Sequence, residues 1–203
     1  MAQTFALISS TAPYTDYDKP KTTVQANSLD IFECLASNED YKRARKLMVS
    51  CILATDMSTH FSEVSKLKTR IEASDYDPKG KDKQLTLTMM FHLADISNGT
   101  KDFERCRKWT DLLFTEFFTQ GDRERSRGAS ISYLMDRKTV NIAKSQIGFL
   151  DVIVSPAYKT VSKVVQMERN LEHIEKNKAR WALLFDEYES KMVAEQEKCV
   201  DID

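Results

Sequence analysis

Residues that break regular structure are scarce in this chain. Glycine occurs 5 times and proline 4 times in 203 residues, against usual shares of about 7% and about 5%. Collagen-like chains, low-complexity disorder and turn-rich β-sandwiches or propellers all require more of these residues. No segment shows the alternating pattern of a half-buried strand. We therefore predict an all-α fold, a multi-helix array built by ordinary helix packing.

Charge and hydropathy exclude several functional classes. The 30 basic and 31 acidic residues nearly balance, so neither a nucleic-acid-binding surface nor a polybasic membrane patch is predicted. No apolar run approaches the ~20 residues that cross a bilayer, and the first residues are a poor signal peptide. The four cysteines are too far apart for a short metal motif and indicate reduced thiols. We expect a cytoplasmic protein without a nucleic-acid partner or a membrane span.

The beginning of the chain differs in composition from the rest. Residues 1–26 are polar, contain two of the prolines and have no steady apolar period. Such a segment is typical of a chain with little fixed structure. We therefore predict a poorly ordered leader at 1–26, a helical domain at 27–196 and a tail at 197–203.

Apolar residues recur at three- and four-residue steps, which predicts a series of helices. The predicted helices are a short one capped by Ser28, one capped by Ser37 or Asn38, then 57–73, 84–97, 102–120, 139–154, and one or two more within 157–196. Residues 121–137 are predicted to form a loop. The predicted helix 139–154 is expected to end near Ser155-Pro156. The aromatic side chains from Trp109 to Phe118 are predicted to lie in the core.

Two acidic residues stand at helical spacing from histidines. Asp56 and His60 are four residues apart and would share a helix face. His92 and Asp95 are three residues apart in the run FHLADISN, where Asp95 would be partly buried. A buried carboxylate requires a metal, a partner charge or several hydrogen bonds. Asp95 is therefore either a metal ligand or a helix-end residue bonded to nearby backbone or to His92, and the residue pattern alone favours the second.

Gln146 and Phe149 form a third pair, three residues apart. The ring could stack on a flat heterocycle, worth about 1–3 kcal/mol, while the amide bonds its edge. The alternative is a core phenylalanine beside a capped or solvated glutamine, which the pair alone favours. Gly148 between them indicates close approach of another helix or of a ligand.

Four segments in order carry a family resemblance. They are ILATDMSTH at 52–60, HLADISN at 92–98, RKWTDLLFTEFFTQGDRER at 107–125 and KSQIGFLDVIV at 144–154. Together they resemble the catalytic domain of the class I 3′,5′-cyclic nucleotide phosphodiesterases, most closely the cAMP type. The resemblance runs from about residue 28 to about 188 and covers roughly the C-terminal half of that domain.

The resemblance implies an all-helical domain with two divalent metals, Zn²⁺ with Mg²⁺ or Mn²⁺, whose bridging hydroxide attacks the cyclic phosphate of cAMP or cGMP. It assigns metal binding to Asp95, the purine edge to Gln146 and purine stacking to Phe149. It further assigns the opposite purine face to Leu113, a polar pocket position to Asn98, and pocket walls to Met57 and Phe117. Gly99 and Tyr133 replace prolines that are common in relatives.

Two functions follow as hypotheses. The first is hydrolysis of cyclic nucleotides. Because the resemblance does not extend to the family's upstream histidines, the first hypothesis predicts little turnover for this chain alone. The second is a catalytically inactive helical module that binds a partner or a relative's missing half through uncovered apolar faces. The same faces could join copies of this chain into a homo-oligomer.

Overall fold

The structure is a computed structural model that describes residues 37–200, with side chains described for residues 37–191. The all-α prediction is confirmed, because this part of the chain contains helices and turns and no strand. Its α-helices are α1 (Asn38–Leu53), α2 (His60–Glu72), α3 (Lys83–Asp95), α4 (Phe103–Ser126), α5 (Ile142–Phe149), α6 (Ser155–Val161) and α7 (Glu168–Val200). The predicted leader and the helix after Ser28 lie outside the described residues.

Side-chain caps fix where several helices begin. The Ser37 hydroxyl accepts a hydrogen bond from the Asp40 amide at 3.1 Å, as predicted for the start of α1. Asp102 and Asn141 accept equivalent bonds at the starts of α4 and α5. Such caps satisfy amides that have no partner within the helix. The chain divides into two units, residues 1–50 and 51–203, and the second carries the site described below.

The end of α4 lies six residues beyond the predicted one, so the predicted loop at 121–137 is wrong in its first part. Gly121 does not end the helix. A Cβ at this position would lie 1.9 Å from the Met135 carbonyl oxygen. Gly121 therefore allows the following loop to lie directly against the helix, and the Arg- and Glu-rich residues after it continue the helix because they are good helix formers.

The predicted helix end at Ser155-Pro156 is also wrong. A π-turn, Leu150–Val154, joins α5 to α6, and the Ser155 amide donates to the Leu150 carbonyl five residues back. Pro156 then lies in the first turn of α6, inside an unbroken helical path, and the shifted hydrogen-bond pattern of the π-turn before it accommodates a residue without an N–H. The helical path therefore continues to Val161.

The core lies between α2, α3, α6, α7 and the π-turn. Its fully buried side chains include Leu67, Leu93, Leu150, Val161 and Ile174. The predicted aromatic core of α4 is wrong for Trp109, which is 61% exposed. The reason is that α4 buries the face formed by Cys106, Thr110, Phe114 and Gly121, and Trp109 lies beside that face.

Candidate nucleotide site

The connection between α3 and α4 carries two of the predicted site residues. Asp95 is the last residue of α3, and Asn98 lies in the 3₁₀ turn Ser97–Thr100. Asn98 is half-buried, but Asp95 is exposed, so the predicted partial burial of Asp95 is wrong. The face that α3 buries contains Met89, His92 and Leu93, and Asp95 lies to one side of it.

His92 contacts a histidine from another helix rather than Asp95. Its Nε2 lies 2.8 Å from Nδ1 of His60 on α2, and both rings are 2% exposed. Burial lowers the pKa of His60, the neighbouring His92 lowers it further, and a hydrogen bond to the Ile153 backbone opposes both effects. These two histidines therefore join α2 to α3 inside the core, and no hydrogen bond forms between His92 and Asp95.

The predicted pairing of Asp56 with His60 on one helix face is also wrong. Asp56 precedes the 3₁₀ turn Met57–Thr59, and its Oδ1 accepts from the Ser58 amide at 2.9 Å. That backbone hydrogen bond lowers the pKa of Asp56. Asp56 thus acts as a local cap, because short polar side chains readily bond backbone amides at helix starts.

Gln146 on α5 is buried and held from the neighbouring helix. It is 5% exposed, and its Oε1 accepts a hydrogen bond from the Thr110 hydroxyl on α4 at 3.2 Å. Thr110 itself is fully buried. The structure therefore contradicts the alternative of a solvated glutamine. Sequence reasoning missed Thr110, for which the one available signal is its place on the apolar stripe with Cys106 and Phe114.

Phe149 lies one turn after Gln146, at the end of α5, and is half-buried. Between them, Gly148 is exposed, and, its chain neighbours and own helix backbone aside, no heavy atom of the described residues lies within 4 Å of the place where its Cβ would stand. The structure therefore shows no neighbouring helix in close approach at Gly148. The surface of α5 at Gly148 is therefore open in the part of the chain that the structure describes.

The α4 face next to Gln146 carries two more predicted residues. Leu113 and Phe117 follow Thr110 at steps of three and four residues, which places all three on one side of the helix. Leu113 is 38% exposed, and Phe117 stands edge-to-face with Phe114 at 5.7 Å between ring centroids. The Thr110–Gln146 hydrogen bond thus brings α5 beside the face of Leu113 and Phe117.

Asn98 joins this group through its turn. The turn Ser97–Thr100 packs against α4 and against the π-turn that follows Phe149. Met57 is 42% exposed on a separate 3₁₀ turn that packs on α2, and its role as a pocket wall stays a prediction. The elements bearing Asn98, Gln146, Phe149, Leu113 and Phe117 therefore meet in one region.

The described residues do not by themselves fit a metal centre. Between residues 37 and 191, no group of three or more His, Cys, Asp or Glu side chains could hold a metal ion. His60 and His92 are bonded to each other, and Asp95 is an exposed carboxylate. A divalent ion requires several protein ligands, so the metal role of Asp95 stays a prediction. Within the described helices, none is long and apolar enough to cross a bilayer.

The family model described as 3′5′-cyclic nucleotide phosphodiesterase matches residues 18–174. The chain belongs to this family. Two curated relatives are the dual specificity calcium/calmodulin-dependent 3′,5′-cyclic nucleotide phosphodiesterases 1C of Mus musculus and Homo sapiens, each 38% identical over 130 residues. That alignment covers 64% of this chain and 18% of each relative, so the chain spans less than a fifth of their length.

A solved structure agrees with the sequence comparisons. The structure of LmjPDEB1 in complex with IBMX matches with a TM-score of 0.71 and 29% identity. The match covers 77% of this chain and 48% of that chain. The resemblance found in the four sequence segments and the helical fold are thus both confirmed, with about half of the solved structure represented.

Proposed function

We propose that this chain binds a purine 3′,5′-cyclic nucleotide as part of a site that hydrolyses cAMP, cGMP or both to the 5′-nucleotide. The observation that carries the proposal is the buried Thr110–Gln146 hydrogen bond, which fixes an amide one helical turn from the half-buried ring of Phe149. The family membership of the chain supports the same substrate class.

The proposed site orients the base in two ways. The Phe149 ring stacks on one purine face, and Leu113 covers the other. Gln146 bonds the purine edge, and because an amide has both donors and an acceptor it can serve adenine or guanine. Holding the base in this way fixes the position of the attached phosphate, which is how positioning groups accelerate a reaction.

We assign the remaining predicted residues to the same site as proposals. Asn98 adds a polar group to the purine pocket, Met57 and Phe117 add apolar walls, and Asp95 supplies one carboxylate to divalent metals. The resemblance gives those metals as Zn²⁺ with Mg²⁺ or Mn²⁺. We further propose a cytoplasmic role in cyclic nucleotide signalling. No observation favours the alternative of an inactive partner-binding module.

Calorimetric titration of the purified chain with cAMP and cGMP tests the proposal. Loss of a stacked ring is worth about 1–3 kcal/mol, so Phe149→Ala should weaken nucleotide binding by about 5- to 150-fold. Gln146→Ala should weaken it by about two- to twelvefold, because one hydrogen bond contributes about 0.5–1.5 kcal/mol. Gln166→Ala and Phe61→Ala change the same residue types at exposed positions and serve as matched controls.

Circular dichroism of each variant shows that the helices are retained. The proposal is overturned if the unsubstituted chain binds neither nucleotide. It is equally overturned if Gln146→Ala and Phe149→Ala bind like their controls.

A further inference from the structure

A buried asparagine on α7 holds the turn that carries Asn98. Asn177 is 1% exposed. Its Nδ2 donates one hydrogen bond to the Gly99 carbonyl at 2.8 Å and a second to the Lys101 carbonyl at 2.9 Å. Both protons of one amide group are thus directed at carbonyls on either side of a single residue. Asn177 lies beyond residue 174, where the family match ends.

Those carbonyls belong to a backbone segment with few hydrogen bonds of its own. The 3₁₀ turn is four residues long, and the Lys101 amide reaches the Asn98 carbonyl at 3.3 Å. Short 3₁₀ turns have poorer hydrogen-bond geometry than α-helices. A buried carbonyl without a partner would cost free energy, so the amide of Asn177 supplies what the turn itself lacks.

Two further contacts hold the same turn from other directions. Asn170, two turns before Asn177 on α7, donates to the Thr100 hydroxyl oxygen at 3.1 Å. A Cβ on Gly99 would lie 2.5 Å from Leu150 Cδ2, so the turn also lies directly against the π-turn. These contacts leave the turn between α7 and the segment that follows Phe149.

We propose that Asn177 is a positioning residue for the nucleotide site, because it fixes the orientation of the turn that presents Asn98 and follows Asp95. One planar amide bonded to two carbonyls restrains both the position and the rotation of the backbone between them. Asn98 is bonded covalently to Gly99, so its side chain moves with the first of these carbonyls. The inference rests on the proposed function and concerns a residue that contacts no substrate atom.

The test compares Asn177→Leu, which keeps the branched shape of the side chain but replaces its amide atoms with larger methyl groups and has no donor, with Ile174→Val on the same helix. Ile174 is fully buried, and shortening it disturbs the packing of α7 without removing a hydrogen bond. Backbone amide hydrogen exchange is measured for each variant at the same number of degrees below its own melting temperature. Asn177→Leu should raise the exchange rate of amides in 97–101 by about tenfold or more while α2 is unaffected, and Ile174→Val should not.

Binding provides the second measurement. If the turn positions Asn98, Asn177→Leu should weaken cAMP binding by about tenfold or more, whereas Ile174→Val should bind like the unsubstituted chain. The positioning role is overturned if Asn177→Leu changes the amide exchange rates in 97–101 and in α2 equally. It is also overturned if Asn177→Leu binds cAMP as the unsubstituted chain does. If the unsubstituted chain binds neither cAMP nor cGMP, the proposed function fails, and the exchange data alone decide whether Asn177 fixes the turn.

A measurement on the unsubstituted chain guards against a variant that does not fold. The Nδ2 protons of Asn177 should exchange with solvent far more slowly in NMR spectra than those of Asn38, an asparagine exposed on α1. Fast exchange of the Asn177 protons would contradict the two hydrogen bonds and with them the inference.

Discussion

The Thr110 hydroxyl donates to the Gln146 amide in a part of the protein from which water is excluded. The bond joins α4 to α5 across 36 residues of sequence. Since Thr110 is fully buried and Gln146 nearly so, no solvent can replace the donor if it is removed. The stability of the fold and the orientation of the proposed purine ligand therefore depend on the same hydroxyl.

Thr110→Val tests this dependence, because valine keeps the shape of threonine and removes the hydroxyl. The Gln146 oxygen would lose its partner inside the protein, which costs about 1–3 kcal/mol. Urea unfolding should show a loss of that size. Thr115→Val, at an exposed position of the same helix, is the matched control and should change the unfolding free energy by less than about 0.5 kcal/mol. Equal values for the two variants would contradict a structural role for the bond.

At the scale of single residues, the sequence predicts which residues could bind a ligand better than it predicts their hydrogen-bond partners. Local spacing pairs Gln146 with Phe149, and the structure brings both to one region. The hydroxyl that holds Gln146 and the amide that holds Gly99 lie 36 and 78 residues away in the chain. Such contacts depend on how helices pack, which local periodicity does not contain. The same holds for His92, which bonds a residue 32 positions earlier.

The loop between α2 and α3 is closed by a partly buried ion pair. Asp82 is 7% exposed, and its two oxygens accept from Nε and Nη2 of Arg70 at 2.8 and 2.9 Å. The Asp77 amide donates to the same carboxylate at 2.9 Å. The Arg70 hydrogen bond, followed by that of Asp77, lowers the pKa of Asp82 to about 2. The charged form of Asp82 therefore ties the end of α2 to the start of α3.

This ion pair predicts a specific acid sensitivity. The folded state holds the pKa of Asp82 at about 2, below the value of about 3.9 in an unfolded chain. The stabilisation is therefore fully present above about pH 4 and is lost as the pH falls towards 2. Urea unfolding should show the chain more stable than Asp82→Asn at pH 6, with a smaller difference at pH 2.5.

Asp186→Asn, at an exposed position of α7, is the control and should match the unsubstituted chain at pH 6 within about 0.5 kcal/mol. A stability difference between Asp82→Asn and the unsubstituted chain that stays constant from pH 6 to pH 2.5 would contradict the assigned role of Arg70.

At the scale of helices, the periodic pattern predicts where each helix lies but not where it ends. The start of α1 at a Ser37 cap is confirmed, since a cap is a local interaction. Gly121 and Pro156 were both expected to interrupt helices, and neither does. Gly121 serves a tertiary contact with Met135, and Pro156 follows a π-turn that shifts the hydrogen-bond pattern. Glycine and proline therefore mark the end of a helix only where they do not serve a tertiary contact or follow a shifted hydrogen-bond pattern.

Across residues 51–191, α7 connects the two sides of the proposed site. Asn177 bonds the turn next to Asn98, and the adjacent Lys178 pairs with Asp151 at 2.5 Å, two residues after Phe149. That pairing raises the pKa of Lys178. Helix α7 thus contacts both segments that carry the proposed purine-binding residues, and Asn177 and Lys178 lie beyond the residues that the family model matches.

For the molecule as a whole, we expect nucleotide binding with little turnover. The sequence has three histidines, of which His60 and His92 are hydrogen-bonded to each other in the core. Asp95 lacks further metal-binding side chains among the described residues.

The purified chain should bind cAMP yet hydrolyse little cAMP or cGMP with Zn²⁺ and Mg²⁺ present. Asp95→Ala, with Asp186→Ala as an exposed control, should leave nucleotide binding within about twofold, because the role proposed for Asp95 is to hold metal and not to bind the base. Robust metal-dependent turnover that Asp95→Ala abolishes would show instead that this chain assembles a complete hydrolytic centre.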